Sequence, residues 1–364
     1  SICRYGSKDM EPVKKAAVVL VTLSMFTGVV AARDEVIKNN DKPVVTIQKT
    51  GMISVEKGTE AVGDHSDSKA VYEPSEKKDM TDRILVNTAS RILTLYRGKE
   101  KAAMYPVGVG KASTPTPSGY YRVETKEVNP EWIDPEDTEN RIASGPGNPL
   151  GYGWIGFSGT YGIHGTNSPE SVGGYVSNGC VRMREQDVED LYSRIHVGTA
   201  VDIMYDRIVI NADPDHTVSY YIYPDGYSRQ YLTVGDVKKA LAGYGVDTFE
   251  DIEHIQAKIA ASDGSPTYVA KAYDLVLDGK KLSRRALGKG GVIYLPAQVL
   301  ADVVDSPLVW NGKTGTLSTE RGQAQGVVRS DVLYIREADL MYLFPLTGSL
   351  DSHLVYRLKN TARS

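Results

Sequence analysis

The sequence predicts a multidomain protein with a mainly β domain, a small helical segment and an α+β module. From residue 83 onward, short strand-like runs alternate with turns, and the first helical pattern comes only at 185–195. Two capped helical patterns then follow within residues 211–262, and mixed strands and helices fill residues 266–358. We therefore predict the β domain at 83–207, a helical connecting segment at 211–262 and the α+β module at 266–358.

Composition is that of a folded globular protein and excludes few functions. The chain has 364 residues, enough for two or three domains, with 41% hydrophobic and 24% charged residues. Its formal net charge of −4 gives none of the basic character expected of a nucleic-acid-binding protein. The sequence leaves the oligomeric state open.

The N-terminal part predicts export. Lys14 and Lys15 precede an uncharged apolar stretch that ends in small residues at 29–32, the pattern of a secretory signal. We predict a signal peptide or an N-terminal membrane anchor at residues 10–32, since seventeen apolar or small residues are at the short limit for spanning a bilayer. The polar residues 33–81 predict a flexible linker, and the remainder lies outside the cytoplasm.

The β domain is predicted from its runs of strand-forming residues. These are 84–87, 91–96, 103–109, 120–123, 152–155, 161–164 and 201–204, with a proline-containing excursion at 124–149. In the helical segment, Thr233 and Thr248 precede helical spacing and are predicted N-caps. The third region combines strand runs such as 268–276 and 291–296 with a helix from residue 297.

Cys180 is the candidate for a reactive cysteine. Cys3 is the other cysteine and lies in or before the predicted signal, so the exported chain keeps Cys180 alone. A lone cysteine in an exported protein is a reactive thiol, an intermolecular link or a buried inert side chain. Composition does not decide among these three.

The surroundings of Cys180 favour a nucleophile. His164 ends a strand run sixteen residues earlier, which fixes an imidazole on a rigid element that can act as a base. Gly179 permits close substrate approach, and the amides of Asn178, Gly179 and Cys180 are candidate oxyanion donors. Arg182, two residues on, is suited to binding a carboxylate. Alternatively, the histidine is structural and the arginine forms a surface ion pair.

The whole pattern resembles the L,D-transpeptidase (YkuD-type) catalytic domain. His-Gly-Thr at 164–166 is followed by Ser-Asn-Gly-Cys-Val-Arg at 177–182. The segments 105–111, 114–119 and 148–151 agree with the same family, and the resemblance covers about residues 83–205.

The resemblance implies a mostly β sandwich with Cys180 as nucleophile and His164 as general base. It implies that the Gly165 carbonyl orients the imidazole, that Asn178 and Gly179 serve the oxyanion, and that Arg182, Ser177 and Thr166 place substrate. The family attacks peptidoglycan stem peptides after the L-centre of a diamino acid, releases terminal D-alanine and passes the acyl group to an amine of a second stem. The resemblance implies association with the cell wall. It implies no metal and no cofactor.

One position departs from the pattern of the family. The family commonly has histidine before the Gly-Cys pair, where this chain has Asn178, which cannot carry charge.

Residues 266–358 resemble the small domain named after the N-terminus of copper amine oxidases, without a histidine cluster that could hold copper. Two alternatives to transpeptidation remain: an L,D-carboxypeptidase that uses water as acceptor, and a non-catalytic cell-wall-binding protein.

Overall fold

The computed structural model describes residues 4–5, 81–134 and 137–362. The predicted signal or anchor at 10–32 lies outside the described residues, as does the predicted linker up to residue 80. Within the described part of the chain, every helix is too short or too polar to cross a bilayer.

One of the two main sheets of the β domain has five strands. Its strand Asp82–Asn87 pairs antiparallel with Ile92–Arg97 and parallel with Ala200–Met204, which closes the domain. In spatial order the strands are Glu100–Pro106, Ile92–Arg97, Asp82–Asn87, Ala200–Met204 and Gly119–Arg122. The prediction of strands over most of this region is confirmed.

A four-stranded sheet carries the residues singled out in the sequence. In spatial order its strands are Val181–Arg182, Tyr161–His164, Gly153–Ser158 and Thr125–Val128. Ile155, Phe157 and Ile163 from this sheet share one buried core with Ile84 and Leu95 from the five-stranded sheet. The two sheets therefore enclose a common apolar core, which holds the second sheet rigid.

Smaller pairings complete the domain. Val109–Gly110 pairs parallel with Tyr175–Ser177. Within the predicted excursion, Trp132–Ile133 pairs with Arg141–Ile142 and with the two-residue strand Arg4–Tyr5. A short 3-10 helix spans Pro169–Ser171.

The helix Glu185–Arg194 follows the cysteine, as predicted, and buries Val188 and Leu191 against the shared core. Its outer side is tied to the five-stranded sheet because the Tyr105 hydroxyl donates to Asp190 Oδ2 at 2.6 Å. Arg194 Nε donates to Asp190 Oδ1 at 2.8 Å. The hydrogen bonds from Arg194 and Tyr105 hold the pKa of Asp190 below its usual range.

We expect Asp190→Asn to destabilise the domain in a pH-dependent way. A depressed folded-state pKa gives stability that is present above the unfolded pKa of about 3.9 and is lost as the pH falls through the folded value. The difference in unfolding free energy between the wild type and Asp190→Asn, measured in urea, should therefore be constant near neutral pH and shrink below about pH 4. A difference that does not change down to pH 3 would contradict this role.

The C-terminal half is organised differently from the prediction. Its main sheet is antiparallel throughout and has seven strands. In spatial order these are Ile208–Ala212, Thr217–Ile222, Thr267–Tyr273, Ala286–Lys289, Val292–Pro296, Val332–Arg336 and Val327–Arg329. The helical connecting segment predicted for 211–262 is therefore wrong as a separate unit. Its strand Thr217–Ile222 pairs with Thr267–Tyr273 and buries alternate residues in an apolar core of the seven-stranded sheet, separate from the core of the β domain.

Two helices lie between those paired strands, and one of the two predicted caps is correct. Val234–Ala242 begins after Thr233, whose side chain accepts from the amide of Asp236 in a capping box. The second helix is Ile252–Ala261, preceded by a 3-10 turn at Asp247–Phe249. Thr248 is not its cap, because the Thr248 hydroxyl is buried and lies 2.8 Å from the Tyr334 hydroxyl.

The remaining elements pack on a second apolar core within residues 273–358. The helices there are Ala297–Val303 and Leu340–Leu343, the second preceded by a 3-10 turn at Glu337–Asp339. A four-stranded sheet has the order Lys280–Lys281, Leu275–Leu277, Tyr356–Asn360 and Leu346–Leu350, and a three-stranded sheet the order Val309–Asn311, Thr316–Ser318 and Gln323–Gln325. The likeness of 266–358 to the copper amine oxidase N-terminal domain stays a prediction.

Candidate active site

Strand pairing brings the histidine and cysteine segments together. Tyr161–His164 runs parallel to Val181–Arg182, with His164 and Arg182 as register partners. The amide of Met183 donates to the His164 carbonyl at 2.8 Å. Because Cys180 directly precedes the second strand, the fifteen residues between His164 and Cys180 form an excursion that returns to its starting point.

The turn that presents Cys180 is held by its own hydrogen bonds. The Ser177 hydroxyl donates to the Cys180 carbonyl at 2.5 Å and accepts from the amide of Gly179 at 3.1 Å. Ser177 is buried. In this structure the Ser177 hydroxyl and the Gly179 amide satisfy each other within the turn. The predicted roles of Ser177 in substrate binding and of the Gly179 amide in the oxyanion hole stay predictions. We assign both groups to shaping the nucleophile turn.

Gly179 is required by this turn for two reasons. Its φ is +119°, a backbone conformation that favours glycine. A Cβ at this position would lie 2.4 Å from Cε1 of Tyr161, well inside van der Waals contact. The glycine predicted to allow close approach thus accommodates the protein's own tyrosine ring.

Cys180 carries a thiol rather than a disulfide and has no exposed surface. It clusters with Leu150 and Trp154, and Trp132 packs against the same group. Its Sγ lies 3.7 Å from the carbonyl oxygen of Thr160. The thiol is therefore placed in a largely apolar environment beside the histidine strand.

His164 is held by the backbone of the next residue. Its Nδ1 lies 2.6 Å from the Gly165 carbonyl oxygen, the contact that the family resemblance implied. A carbonyl can only accept, so this contact assigns the proton to Nδ1 in the neutral ring. Nε2 then carries the lone pair of the neutral ring, and this is the tautomer in which Nε2 can act as a general base.

Trp154 is a site residue that sequence reasoning missed. It is the register partner of His164 on the neighbouring strand, and the two rings stack at 5.9 Å between centroids with 20° between planes. Gly162 leaves room for the indole, because a Cβ there would lie 2.6 Å from its ring carbons. The available signal was an aromatic residue in a strand run beside the histidine strand.

Glu185 is a second residue that was missed. Its Oε1 accepts from the Thr166 amide and its Oε2 from the Tyr152 amide, both at 2.7 Å. Thr166 is buried, and its hydroxyl accepts from the amide of Ser168 at 3.1 Å. These contacts hold Thr166 in place. Together with Glu185 it lines a cavity of about 300 Å³.

Arg182 remains available for a ligand. Its backbone amide and carbonyl form a bridge with Gly108, while its side chain is half-buried. Among the described residues, the Nε of Arg182 is buried without a hydrogen-bond partner. A buried cationic donor left unpaired is costly, and a carboxylate or carbonyl of a bound substrate would satisfy it.

Asn178 lies half-buried beside a loop that begins at Gly110. The Thr114 hydroxyl is 3.5 Å from Asn178 Oδ1 and 3.3 Å from the Ser177 carbonyl. The amide of Lys111 donates to the Ser177 carbonyl at 2.9 Å. Asn178, at the position where the family commonly has histidine, therefore packs against this loop.

Metal ligation has no support in the described part of the chain. Three or more His, Cys, Asp or Glu side chains do not come together there in an arrangement that could hold an ion.

We expect Gly179→Ala to slow the reaction of the thiol by about 10- to 100-fold, because small misplacements of a reacting group are costly. The added methyl meets Tyr161 and imposes a strained φ. The rate of Cys180 modification by a carbapenem, followed by intact mass, measures this effect.

Gly198→Ala is the matched control for that experiment. Gly198 has a φ of +95°, and a Cβ there meets nothing within 4 Å. The control should carry the backbone strain but keep the wild-type rate. Equal rates in both variants would show that the Gly179 turn does not set the thiol's reactivity.

The sequence model of the YkuD family, described as the L,D-transpeptidase catalytic domain, matches residues 81–203. This range contains both sheets of the β domain except Met204, and every residue of the site described above.

Two curated relatives illustrate the similarity. YqjB of Bacillus subtilis, named as an L,D-transpeptidase, is 41% identical over 130 residues, which are 34% of this chain and 72% of the relative. YcfS of Escherichia coli, also named as an L,D-transpeptidase, is 32% identical over 149 residues, covering 36% of this chain and 47% of the relative. The chain thus spans most of one relative and about half of the other.

Solved structures with the same description are more distant. The NMR structure of the catalytic domain of the Enterococcus faecium L,D-transpeptidase is 23% identical and covers 34% of this chain and 98% of that domain, with a TM-score of 0.29. An L,D-transpeptidase from Mycobacterium smegmatis is 19% identical and covers 34% of this chain and 58% of that chain, also with a TM-score of 0.29.

Proposed function

Because this chain belongs to the L,D-transpeptidase family, we propose that it cross-links peptidoglycan stem peptides through a thioester on Cys180. The family resemblance predicted from the motifs is confirmed. The observation that carries the proposal is the pairing of the His164 strand with the strand that Cys180 precedes.

The first half of the reaction forms the thioester. His164 Nε2 takes the proton of the Cys180 thiol, and the thiolate attacks the carbonyl carbon that follows the L-centre of the donor's diamino acid. The bond to the terminal D-alanine breaks, and the imidazolium returns the proton to the departing amine. The Gly165 carbonyl supports the charged imidazole throughout, since it accepts from Nδ1.

The second half transfers the acyl group. A side-chain amine of a second stem peptide attacks the thioester carbonyl, the C–S bond breaks, and His164 takes the proton that the amine loses. Thiolate and imidazolium then restore the starting state by proton transfer. Water in place of the amine would give the carboxypeptidase reaction, with a tripeptide as product.

We assign substrate placement to Arg182. Its buried, unpartnered Nε lies on the strand that is in register with His164, and a stem-peptide carboxylate or carbonyl would accept from it. Asn178 borders the same turn and offers a neutral amide where the family commonly has histidine. Since Cys180 has no exposed surface, some of the side chains that cover it must move for a stem peptide to reach the thiol.

The setting of this reaction is the cell envelope, where peptidoglycan is found. Export by a signal peptide or an N-terminal anchor at 10–32 would place the β domain there, with residues 33–81 as the tether. We propose no catalytic role for residues 266–358.

The test is product analysis with a disaccharide-tetrapeptide as the sole substrate, followed by mass spectrometry. A cross-linked dimer with free D-alanine supports transpeptidation, and tripeptide without dimer identifies the carboxypeptidase. Unchanged substrate together with binding to peptidoglycan would instead identify a non-catalytic wall-binding protein.

A further inference from the structure

The carboxylate of Glu185 bridges two backbone amides, one just before the strand Gly153–Ser158 and one just after the strand Tyr161–His164. It belongs to the first residue of the helix Glu185–Arg194 but does not cap that helix. It accepts instead from Tyr152 and Thr166, which are 33 and 19 residues away in sequence. A charged acceptor gives stronger and shorter hydrogen bonds than a neutral one, so these two amides are firmly held.

The Thr166 amide belongs to the same peptide unit as the Gly165 carbonyl. The described chain has no cis peptide bonds, so the N–H and C=O of this unit point to opposite sides. Donation of the N–H to Glu185 therefore directs the carbonyl away from the carboxylate, towards His164 Nδ1 at 2.6 Å.

The fit of the carboxylate against this peptide is close. A Cβ on Gly165 would lie 2.3 Å from Oε1 of Glu185, so the carboxylate takes the place of a side chain. Hydrogen bonds in a chain polarise one another, and the negative charge makes the Gly165 oxygen a better acceptor. The chain of contacts runs from carboxylate to amide, through one peptide unit, to the imidazole.

We propose that Glu185 is a positioning residue that fixes the peptide plane between Gly165 and Thr166, and through it the orientation and tautomer of His164. The inference rests on the proposed function for the role of His164 as base. The competing explanation is that Glu185 merely joins the helix to the Tyr152 loop, in which case it contributes stability alone.

The test compares Glu185→Ala and Glu185→Gln with Glu189→Gln in the full chain. Glu189 lies one helical turn further on, is exposed and lines the same cavity. Three readouts are taken: kcat and KM for transfer with disaccharide-tetrapeptide, the unfolding midpoint, and the ¹⁵N chemical shifts of the His164 ring, which report its tautomer.

We expect Glu185→Ala to lower kcat by about 10- to 100-fold with little change in KM, as removal of an orienting partner usually does. The ring should change from the Nδ1–H form to a mixture of tautomers. Glu185→Gln keeps one acceptor and should give an intermediate loss of kcat. If the alanine variant does not fold, the glutamine variant provides the test. Glu189→Gln should match the wild type.

Unchanged kcat and an unchanged His164 tautomer in the folded glutamine and alanine variants would overturn the proposal, whatever happens to the unfolding midpoint. The tautomer readout needs no turnover. If the wild type proves inactive on stem peptides, the proposed function fails, while the positioning of His164 by Glu185 is still decided by the ring shifts.

A second, independent observation concerns Tyr227, which lies beyond the residues matched by the family. Its side chain is buried, and its hydroxyl donates to the Gly110 carbonyl at 2.7 Å. Its ring packs between Tyr175 and Tyr205, with centroids 5.0 and 5.1 Å away. Gly226 allows this packing, since a Cβ there would lie 2.2 Å from the Tyr175 ring.

Gly110 begins the loop that packs against the nucleophile turn. It is the register partner of Ser177, and its amide donates to the Thr116 hydroxyl at 2.9 Å. We infer that Tyr227 is a positioning residue that holds this loop, and so ties the C-terminal half of the chain to the Cys180 turn.

Tyr227→Phe removes the hydroxyl and keeps the ring packing, and Tyr231→Phe, on a tyrosine that is 90% exposed, is its control. We expect Tyr227→Phe to lower the rate of Cys180 acylation by a carbapenem about three- to tenfold, the effect of one lost hydrogen bond. Amide hydrogen exchange at Lys111 should become faster. Wild-type acylation and exchange in Tyr227→Phe would overturn the inference.

Discussion

Replacing Cys180 by alanine is expected to abolish dimer and tripeptide formation from disaccharide-tetrapeptide, a loss of about four orders of magnitude or more. No other described side chain in the site offers a thiol, and the proposed reaction has no path without the thioester. Product formation is measured by mass spectrometry at equal protein concentrations.

Cys180→Ser is the matched variant, because it changes one atom within the buried cluster of Leu150 and Trp154. It should also be inactive, since a hydroxyl is a much weaker nucleophile than a thiolate at neutral pH. Unfolding midpoints close to the wild type would show that the fold is kept. Product formation by either variant would rule out Cys180 as the nucleophile.

Replacing His164 by asparagine is expected to lower kcat by about 10²- to 10⁴-fold, the usual contribution of a general base. The asparagine amide can still donate to the Gly165 carbonyl but has no basic nitrogen. The measurement is the initial rate of D-alanine release. KM should change much less than kcat, because His164 acts on the reacting thiol.

His196→Asn is the control for this substitution. His196 is exposed, lies at the end of the helix Glu185–Arg194 and contacts the Thr199 hydroxyl at 3.4 Å. It should retain the wild-type rate. A similar loss in both variants would indicate a general effect on the domain and would remove the support for His164 as base.

His164 and Cys180 could be proposed as a pair because a local motif carries them. Their spacing alone left a structural histidine and an inert cysteine open, and the resemblance of the motif to the family favoured the catalytic interpretation. The structure places the two segments side by side. The strand runs of the β domain were predictable because their signal is also local, since short apolar runs such as Ile84 to Val86, bounded by polar residues and turns, are typical of strands.

The supporting residues were not predictable because they act across long sequence separations. Glu185 reaches amides 19 and 33 residues away, and its position at a helix start suggests an ordinary first-turn acid. The mutual hydrogen bonds of Ser177 and Gly179 depend on a φ of +119°, which the sequence permits without requiring.

The error in the C-terminal half has a local cause. The strand Thr217–Ile222 is short and buries only alternate residues, so its signal is weak beside the two helices that follow. Thr248 was assigned as a cap because a threonine before helical spacing is ambiguous. Its burial against Tyr334 is decided by a strand 86 residues later.

The role of Cys180 as nucleophile is decided by the mass of the protein after brief mixing with disaccharide-tetrapeptide. We expect a covalent adduct equal to the donor minus its D-alanine, located on the peptide that contains Cys180, and absent from Cys180→Ala. Free D-alanine should appear in equal amount during the first turnover. Product formation without any adduct on Cys180, or an adduct on another residue, would contradict it.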